Sequence, residues 1–180
     1  LGALGDAGAV VTNNKKSSDK LREIRQYGWR ERYISIREGI NSRLDELQAA
    51  VLRIKLIYLH SDNAKRNHIA SIYNNNLSGL NFLKVPLLRD DSEHVYHQYV
   101  ILSEKRDLIK KELEEKQIFC GLHYPQPVHH QHIFSKSDYN LVSLEETDSL
   151  AKKILSLPMY PELSIDNAIE VTRCIKSLKL

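Results

Sequence analysis

Apolar residues recur at three- and four-residue steps through Leu44, Leu47, Val51, Ile54 and Tyr58. That spacing predicts a long helix with one apolar face, running from Arg43 to about His60 and continuing, bent, through Tyr73. Asn74, Asn75, Asn76 and Gly79 supply the turn chemistry that ends it. Ser42 stands where an N-cap belongs, and Asp45 occupies the capping-box position three residues later. Ahead of this helix, residues 18–27 read as a shorter one, with Leu21 and Ile24 on the apolar side. Residues 28–40 mix aromatic and charged side chains without a period and read as a loop. Residues 1–12 read as a strand finishing a larger sheet, because Gly2, Ala3, Gly5, Ala7 and Gly8 permit close backbone approach.

The second half changes pattern. Residues 95–102 are apolar and rich in β-formers, which predicts a strand. Ser103 is placed to cap a helix through Lys116, with Leu108, Ile109 and Leu113 inward. Residues 118–122 read as a short strand and residues 123–132 as a Pro/His-rich loop. Residues 144–155 read as a helix, and Ser164 caps a last helix through Leu178. This alternation predicts a small α/β domain with helices on one face of a short sheet.

Composition narrows the function classes. The 180 residues carry 26 basic and 23 acidic side chains, a net charge of +3 with the signs interspersed. No basic stripe suggests a nucleic-acid partner. The apolar runs are far shorter than a membrane span. Cys120 and Cys174 are distant and form no Cys-x-x-Cys pair, which predicts two reduced thiols and a cytoplasmic setting.

Three places carry candidate chemistry. Asn41 and Arg43 flank the predicted start of the long helix, where free N–H groups and the positive dipole end favour an anion such as a phosphate. An ordinary capped helix would have the same residues. The loop from His123 to His132 holds His123, His129, His130 and His132. Imidazoles can ligate zinc, but no cysteine or carboxylate nearby in the chain completes a set, and two prolines predict an extended loop. A plain surface loop fits as well. Trp29, between Gly28 and Arg30, is either a core anchor or part of a loop approaching a neighbouring subunit's site, with Arg30 and Arg32 available to anions. Tyr96, His97 and Tyr99 are explained by sheet packing.

The block Gly39-Ile-Asn-Ser-Arg-Leu-Asp-Glu-Leu-Gln-Ala-Ala50 resembles the G-x-N-x-R-x-D-E-x-Q-A-A motif of the DegT/DnrJ/StrS family of sugar aminotransferases. Four further blocks agree, in the family's order. They are Leu1-Gly-Ala-Leu-Gly-Asp6, which runs on to Thr12, Tyr27-Gly-Trp-Arg-Glu-Arg-Tyr33, His94-Val-Tyr-His-Gln-Tyr-Val100, and Gly121-Leu-His-Tyr-Pro-Gln-Pro-Val-His-His-Gln131 with Leu157-Pro-Met-Tyr-Pro161 behind it. The resemblance covers nearly the whole chain. It implies the C-terminal portion of a fold-type-I transferase dependent on pyridoxal 5'-phosphate (PLP). Residues 1–42 would end the large domain, 43–77 would be the connecting helix region, and 78–180 the small α/β domain.

The resemblance also implies roles. In the family, the lysine that links covalently to PLP lies just upstream of the Leu-Gly-Ala-Leu-Gly-Asp motif, so here it is expected before Leu1, and the isolated chain is expected to be inactive. Asn41 and Arg43 match cofactor-phosphate positions, contributed across a homodimer with shared active sites. His123, Tyr124 and His129 match positions at the sugar-nucleotide end, while His130 has no assigned role. The implied reaction moves an amino group from glutamate to a nucleotide-linked keto-sugar, most similar to the branch making 3-amino-3,6-dideoxyhexoses on thymidine diphosphate. Three alternatives stay open: a PLP-dependent dehydratase with histidine at the lysine position, a non-catalytic regulatory or binding module, and a histidine-loop metal protein.

Overall fold

Asn14 starts the first helix, because its side-chain oxygen accepts the Ser17 N–H at 3.0 Å. The computed structural model describes residues 1–134 and 143–178. Helix α1 spans Lys15–Ile24, so it begins and ends about a turn earlier than the apolar spacing suggests. The chain then reverses through Tyr27 and Gly28, both at positive φ. A Cβ on Gly28 would lie 1.8 Å from the Arg37 carbonyl oxygen, and one on Gly39 would lie 2.1 Å from the Gly28 nitrogen. Two strands of backbone touch there, and only glycine leaves them room.

Residues 28–40, expected as a loop, contain a small hairpin of β1 (Trp29–Glu31) and β2 (Ile34–Ser35), paired antiparallel. Most of its side chains are exposed, so no alternation of apolar and polar residues marks it in the sequence. Trp29 is half-buried between Tyr27 and Tyr33, each ring 5.2 Å away. Glu23 ties the hairpin region to α1, accepting from Arg30 Nε at 3.0 Å and Arg37 Nε at 2.6 Å. The strand expected over residues 1–12 does not form: the segment is exposed coil, since extended backbone without a paired neighbour has no ladder to join. It is pinned instead by the Leu4 N–H, which donates to Gln48 Oε1 at 2.8 Å.

Helix α2 spans Glu46–Leu77, 32 residues without interruption. It starts three residues later than expected. Leu44 sits at φ 60, a left-handed conformation that an α-helix does not admit. The Ser42 N–H donates to the Arg25 carbonyl at 2.9 Å, and the first helical carbonyl is that of Asp45, accepting from Ala49. Ser42 is therefore part of an extended segment and does not cap the helix. The apolar face over Leu47, Ile54 and Tyr58 is exposed in this chain.

Two compact units divide the chain, Leu1–His60 and Ser61–Leu180. The second holds the core. Ile69, Ala70, Tyr73 and Leu77 recur along the end of α2 and are buried, matching a helical face. They pack with Tyr99 and Ile101 of β3 (Tyr99–Leu102), Ile109 and Leu113 of α3 (Arg106–Glu115), Leu155 and Leu157 of β4 (Ile154–Leu157), and Val171 and Ile175 of α5 (Ile165–Lys176). β3 and β4 pair antiparallel from Tyr99 opposite Leu157 to Leu102 opposite Ile154. Single bridges add Lys84 beside Leu102 and Gly121 beside Ser156. The Tyr73 hydroxyl donates to the Pro158 carbonyl at 2.8 Å, and Tyr99 to Asn74 Oδ1 at 2.6 Å.

Several predicted boundaries move here. The strand over 95–102 is confined to β3, because Tyr96 turns the chain at φ 44. The strand over 118–122 contracts to the Gly121 bridge. The helix over 144–155 divides into α4 (Glu145–Ala151) and β4, as an apolar run of that length fits either period. Ser103 binds the Phe82 carbonyl at 2.6 Å and accepts from Lys105, while α3 begins at Arg106. Ser164 caps α5 as expected, accepting the Asn167 N–H at 3.1 Å. Cys120 and Cys174 are free thiols, and burial pushes Cys120 up to about 12.

Candidate functional site

The extended segment after Gly39 runs alongside the end of α1. Ile40 N donates to the Ile24 carbonyl at 2.8 Å, and Asn41 bridges Gln26. This lateral pairing fixes the backbone of Asn41 and Arg43 before α2 begins. Arg43 Nε then donates to Asn41 Oδ1 at 3.0 Å, and Arg25 Nη1 donates to the Arg43 carbonyl at 3.2 Å. The three side chains line an open cleft of about 690 Å³, with Asp6, Asp45 and Gln48 on its other walls.

The expected helix-mouth site is corrected by this geometry. Asn41 and Arg43 lie before Leu44, outside the first turn of α2, and Asp45 and Glu46 already place negative charge at that helix start. The hydrogen-bond donors that line the cleft are side chains: two guanidiniums and two amides, those of Asn41 and Gln48. Arg43 takes the oxygen end of the Asn41 amide, which leaves the NH2 end as donor. Guanidiniums are forked donors suited to phosphate oxygens. Arg25, Arg43 and Asn41 thus offer donors of the kind a phosphate takes, while Asp6, Asp45 and Glu46 line the same cleft with negative charge. Among the described residues, no lysine lines this cleft.

The histidine loop belongs to the second unit. The bridge between Gly121 and buried Ser156 sets its start, and Ser156 Oγ lies 2.9 Å from His123 Nδ1. A Cβ on Gly121 would meet His123 Cε1 at 2.4 Å, so the imidazole sits directly over the glycine. Tyr124 is 72% exposed, with its ring edge-on to His123. The prolines do not keep the loop extended. Pro127 leads a 3-10 turn over Val128–His130, and a second follows over His132–Phe134.

That first turn brings His129 and His130 to one side. Each Nε2 lies 2.8 Å from the same atom, Oδ1 of Asp148 in α4. Burial acts to raise the Asp148 pKa, but the hydrogen bonds from His130 and His129 outweigh it and hold the carboxyl below its ordinary value. The expectation that no carboxylate joins these histidines is thus overturned: folding supplies one from eighteen residues along the chain. Sequence reasoning also missed Arg25, which reaches the cleft through the α1–residue 42 pairing. Neither residue stands in a motif with its partner, so no local signal could have found them. Trp29 anchors the small aromatic cluster, Arg30 pairs with Glu23, and Arg32 lies over the Tyr33 ring at 4.9 Å.

Comparison with known proteins agrees along the chain. The model of the DegT/DnrJ/EryC1/StrS aminotransferase family matches residues 1–176. The dTDP-3-amino-3,4,6-trideoxy-alpha-D-glucose transaminase of Streptomyces venezuelae is 38% identical over 176 residues, which are 98% of this chain and 46% of that protein. The erythromycin biosynthesis sensory transduction protein EryC1 of Saccharopolyspora erythraea is 37% identical over 98% of this chain and 48% of its own length. The solved structure of S. venezuelae DesV superposes with a TM-score of 0.93 at 38% identity, covering 98% of this chain and 47% of that one. The chain thus spans about half the length of these relatives. On the match to its first 176 residues, the chain belongs to the DegT/DnrJ/EryC1/StrS aminotransferase family.

Proposed function

We propose that the whole protein is a PLP-dependent aminotransferase that moves an amino group from glutamate to a nucleotide-linked keto-sugar, specifically a 3-keto-6-deoxyhexose on thymidine diphosphate. The observation that carries this reading is the 38% identity to a dTDP-sugar transaminase over 98% of the chain. In this reading the region before residue 43 closes the large domain, residues 43–77 connect, and residues 78–180 form the small domain.

The chain's own residues then divide the work. Arg43, Asn41 and Arg25 hold the cofactor phosphate, and fixing that end orients the ring for reaction. Bound PLP supplies the electron sink that makes the amino-group exchange accessible. Tyr124, an exposed residue, donates to a sugar hydroxyl or phosphate. His123, steadied by Ser156, and His129, steadied by Asp148, present fixed rings to the same ligand. A lysine of the whole protein moves the proton during the exchange.

Two further points belong to this reading. The exposed apolar face of α2 over Leu47, Ile54 and Tyr58 supports a homodimer that shares its active sites. No helix among the described residues is long and apolar enough to cross a membrane. The two free thiols fit a reducing, cytoplasmic setting, and the pathway in this reading is polysaccharide or antibiotic sugar synthesis.

The test is direct. The full-length protein, loaded with PLP, is incubated with glutamate and the keto-sugar nucleotide, and the sugar product is examined by mass spectrometry. An aminated sugar nucleotide with stoichiometric 2-oxoglutarate is expected. The name of the EryC1 relative favours a second, regulatory reading. That reading gains if the protein binds PLP and sugar nucleotide but forms no aminated product.

A further inference from the structure

We propose that His129, His130 and Asp148 form a binding site for a divalent transition cation of the zinc class. The site shares His129 with the proposed sugar-nucleotide end, and the proposal stands on the convergence of three ligand atoms. His129 Nε2 and His130 Nε2 come from one 3-10 turn, and Asp148 Oδ1 comes from α4. All three atoms lie within 4.8 Å of one another.

Adjacent residues in extended backbone point to opposite sides. Here the turn swings both imidazoles the same way, their centroids 4.3 Å apart and their planes tilted by 43°. The Gln126 amide, donating to the His130 carbonyl at 2.6 Å, fixes the backbone of that turn. Both rings thus present the same nitrogen to the same carboxylate oxygen at 2.8 Å. In the metal-free state one oxygen serves as a shared acceptor. With a cation between them, the three atoms become a facial ligand set with an open position for water.

The donor chemistry selects the cation. Two imidazoles and one carboxylate suit zinc, cobalt(II) or nickel(II), whereas magnesium and calcium take oxygen ligands. Zinc–nitrogen bonds of about 2.0–2.1 Å in a tetrahedral site place ligand atoms about 3.3 Å apart. The 2.8 Å pairs therefore open by about half an ångström, which side-chain rotation supplies. Access is available as well, since His130 is 53% exposed and Asp148 35%. The site joins two elements distant in sequence, so a bound cation clamps the loop onto α4.

Cobalt(II) titrated into the PLP-loaded, full-length protein gives a visible d–d band away from the cofactor's absorption. Zinc(II) is measured by competition with a chromophoric chelator. Wild-type protein is expected to bind one equivalent at micromolar concentration, and zinc is expected to raise its melting temperature. His130→Ala and Asp148→Asn should each weaken binding by about tenfold or more and abolish the melting shift. His68→Ala, outside the cluster, should behave as wild type. Far-UV circular dichroism checks that each variant is folded, and either folded variant suffices. Absence of micromolar binding in the wild type overturns the site. So does equal binding by Asp148→Asn, which would mark chelation by surface histidines.

Discussion

Arg43 Nε donates to Asn41 Oδ1 at 3.0 Å. One residue separates them, and the extended backbone between them puts both side chains on the wall of a single cleft. The bond orients the Asn41 amide and holds the Arg43 guanidinium in place. Asn41→Ala in the full-length protein removes one hydrogen bond to a charged group, worth about 1.5–3 kcal/mol. PLP affinity should fall by about one to two decades, with the melting temperature of the apoprotein unchanged. Titration of apoprotein with PLP measures it. An unchanged dissociation constant would remove Asn41 from the phosphate site.

The loop over 123–132 should discriminate between the two halves of the reaction. Tyr124→Phe and His129→Ala are expected to weaken the half that uses sugar nucleotide and to leave the glutamate half near normal. His129 should act mainly on KM and Tyr124 on both KM and kcat. Stopped-flow records of each half, taken separately, decide this. Equal losses in both halves would point to a folding or cofactor defect.

Glu23 sets a pH dependence in the first unit. The hydrogen bond from Arg30 is the largest influence on it, burial opposes, and Arg37 adds to the lowering, so its pKa lies below the ordinary carboxylate value. A carboxyl depressed on folding contributes stability above its unfolded pKa of about 4.3, and that contribution is lost as pH falls through the folded value. Wild type should therefore melt higher than Glu23→Gln near neutral pH, and the gap should narrow as pH falls below the unfolded value and close below the depressed folded one. Melting curves of both proteins across that range test it. A gap that persists in acid would assign the difference to packing.

In the second unit, Tyr73 and Ile109 separate a hydrogen bond from a cavity. Tyr73→Phe removes the bond to the Pro158 carbonyl and keeps the ring, an expected loss of about 0.5–1.5 kcal/mol. Ile109→Ala empties a fully buried position, an expected loss of about 2–5 kcal/mol. Urea denaturation of both variants should rank them in that order, and the reverse ranking would contradict the packing described.

Some of this protein is written locally. The apolar steps that mark the long helix, the cap at Ser164, and the motifs from Gly39 to Ala50 and from Gly121 to Gln131 depend on residues close in the chain. Local propensity and spacing suffice to read them, and the family follows from their order. Other features depend on partners far along the chain. Leu44 takes a left-handed conformation while the neighbouring segment pairs with the end of α1, and this moves the helix start past Ser42. Residues 144–155 are divided between helix and strand because Leu155 finds Ile101 across the sheet. His129 and His130 acquire a carboxylate because α4 packs beside their turn. Short-range periodicity carries no record of such meetings, since the free energy that decides them comes from pairing and burial between distant segments. The sequence by itself thus determined the family and the helical scaffold, while tertiary contacts decided where the helices start and which side chains share a site.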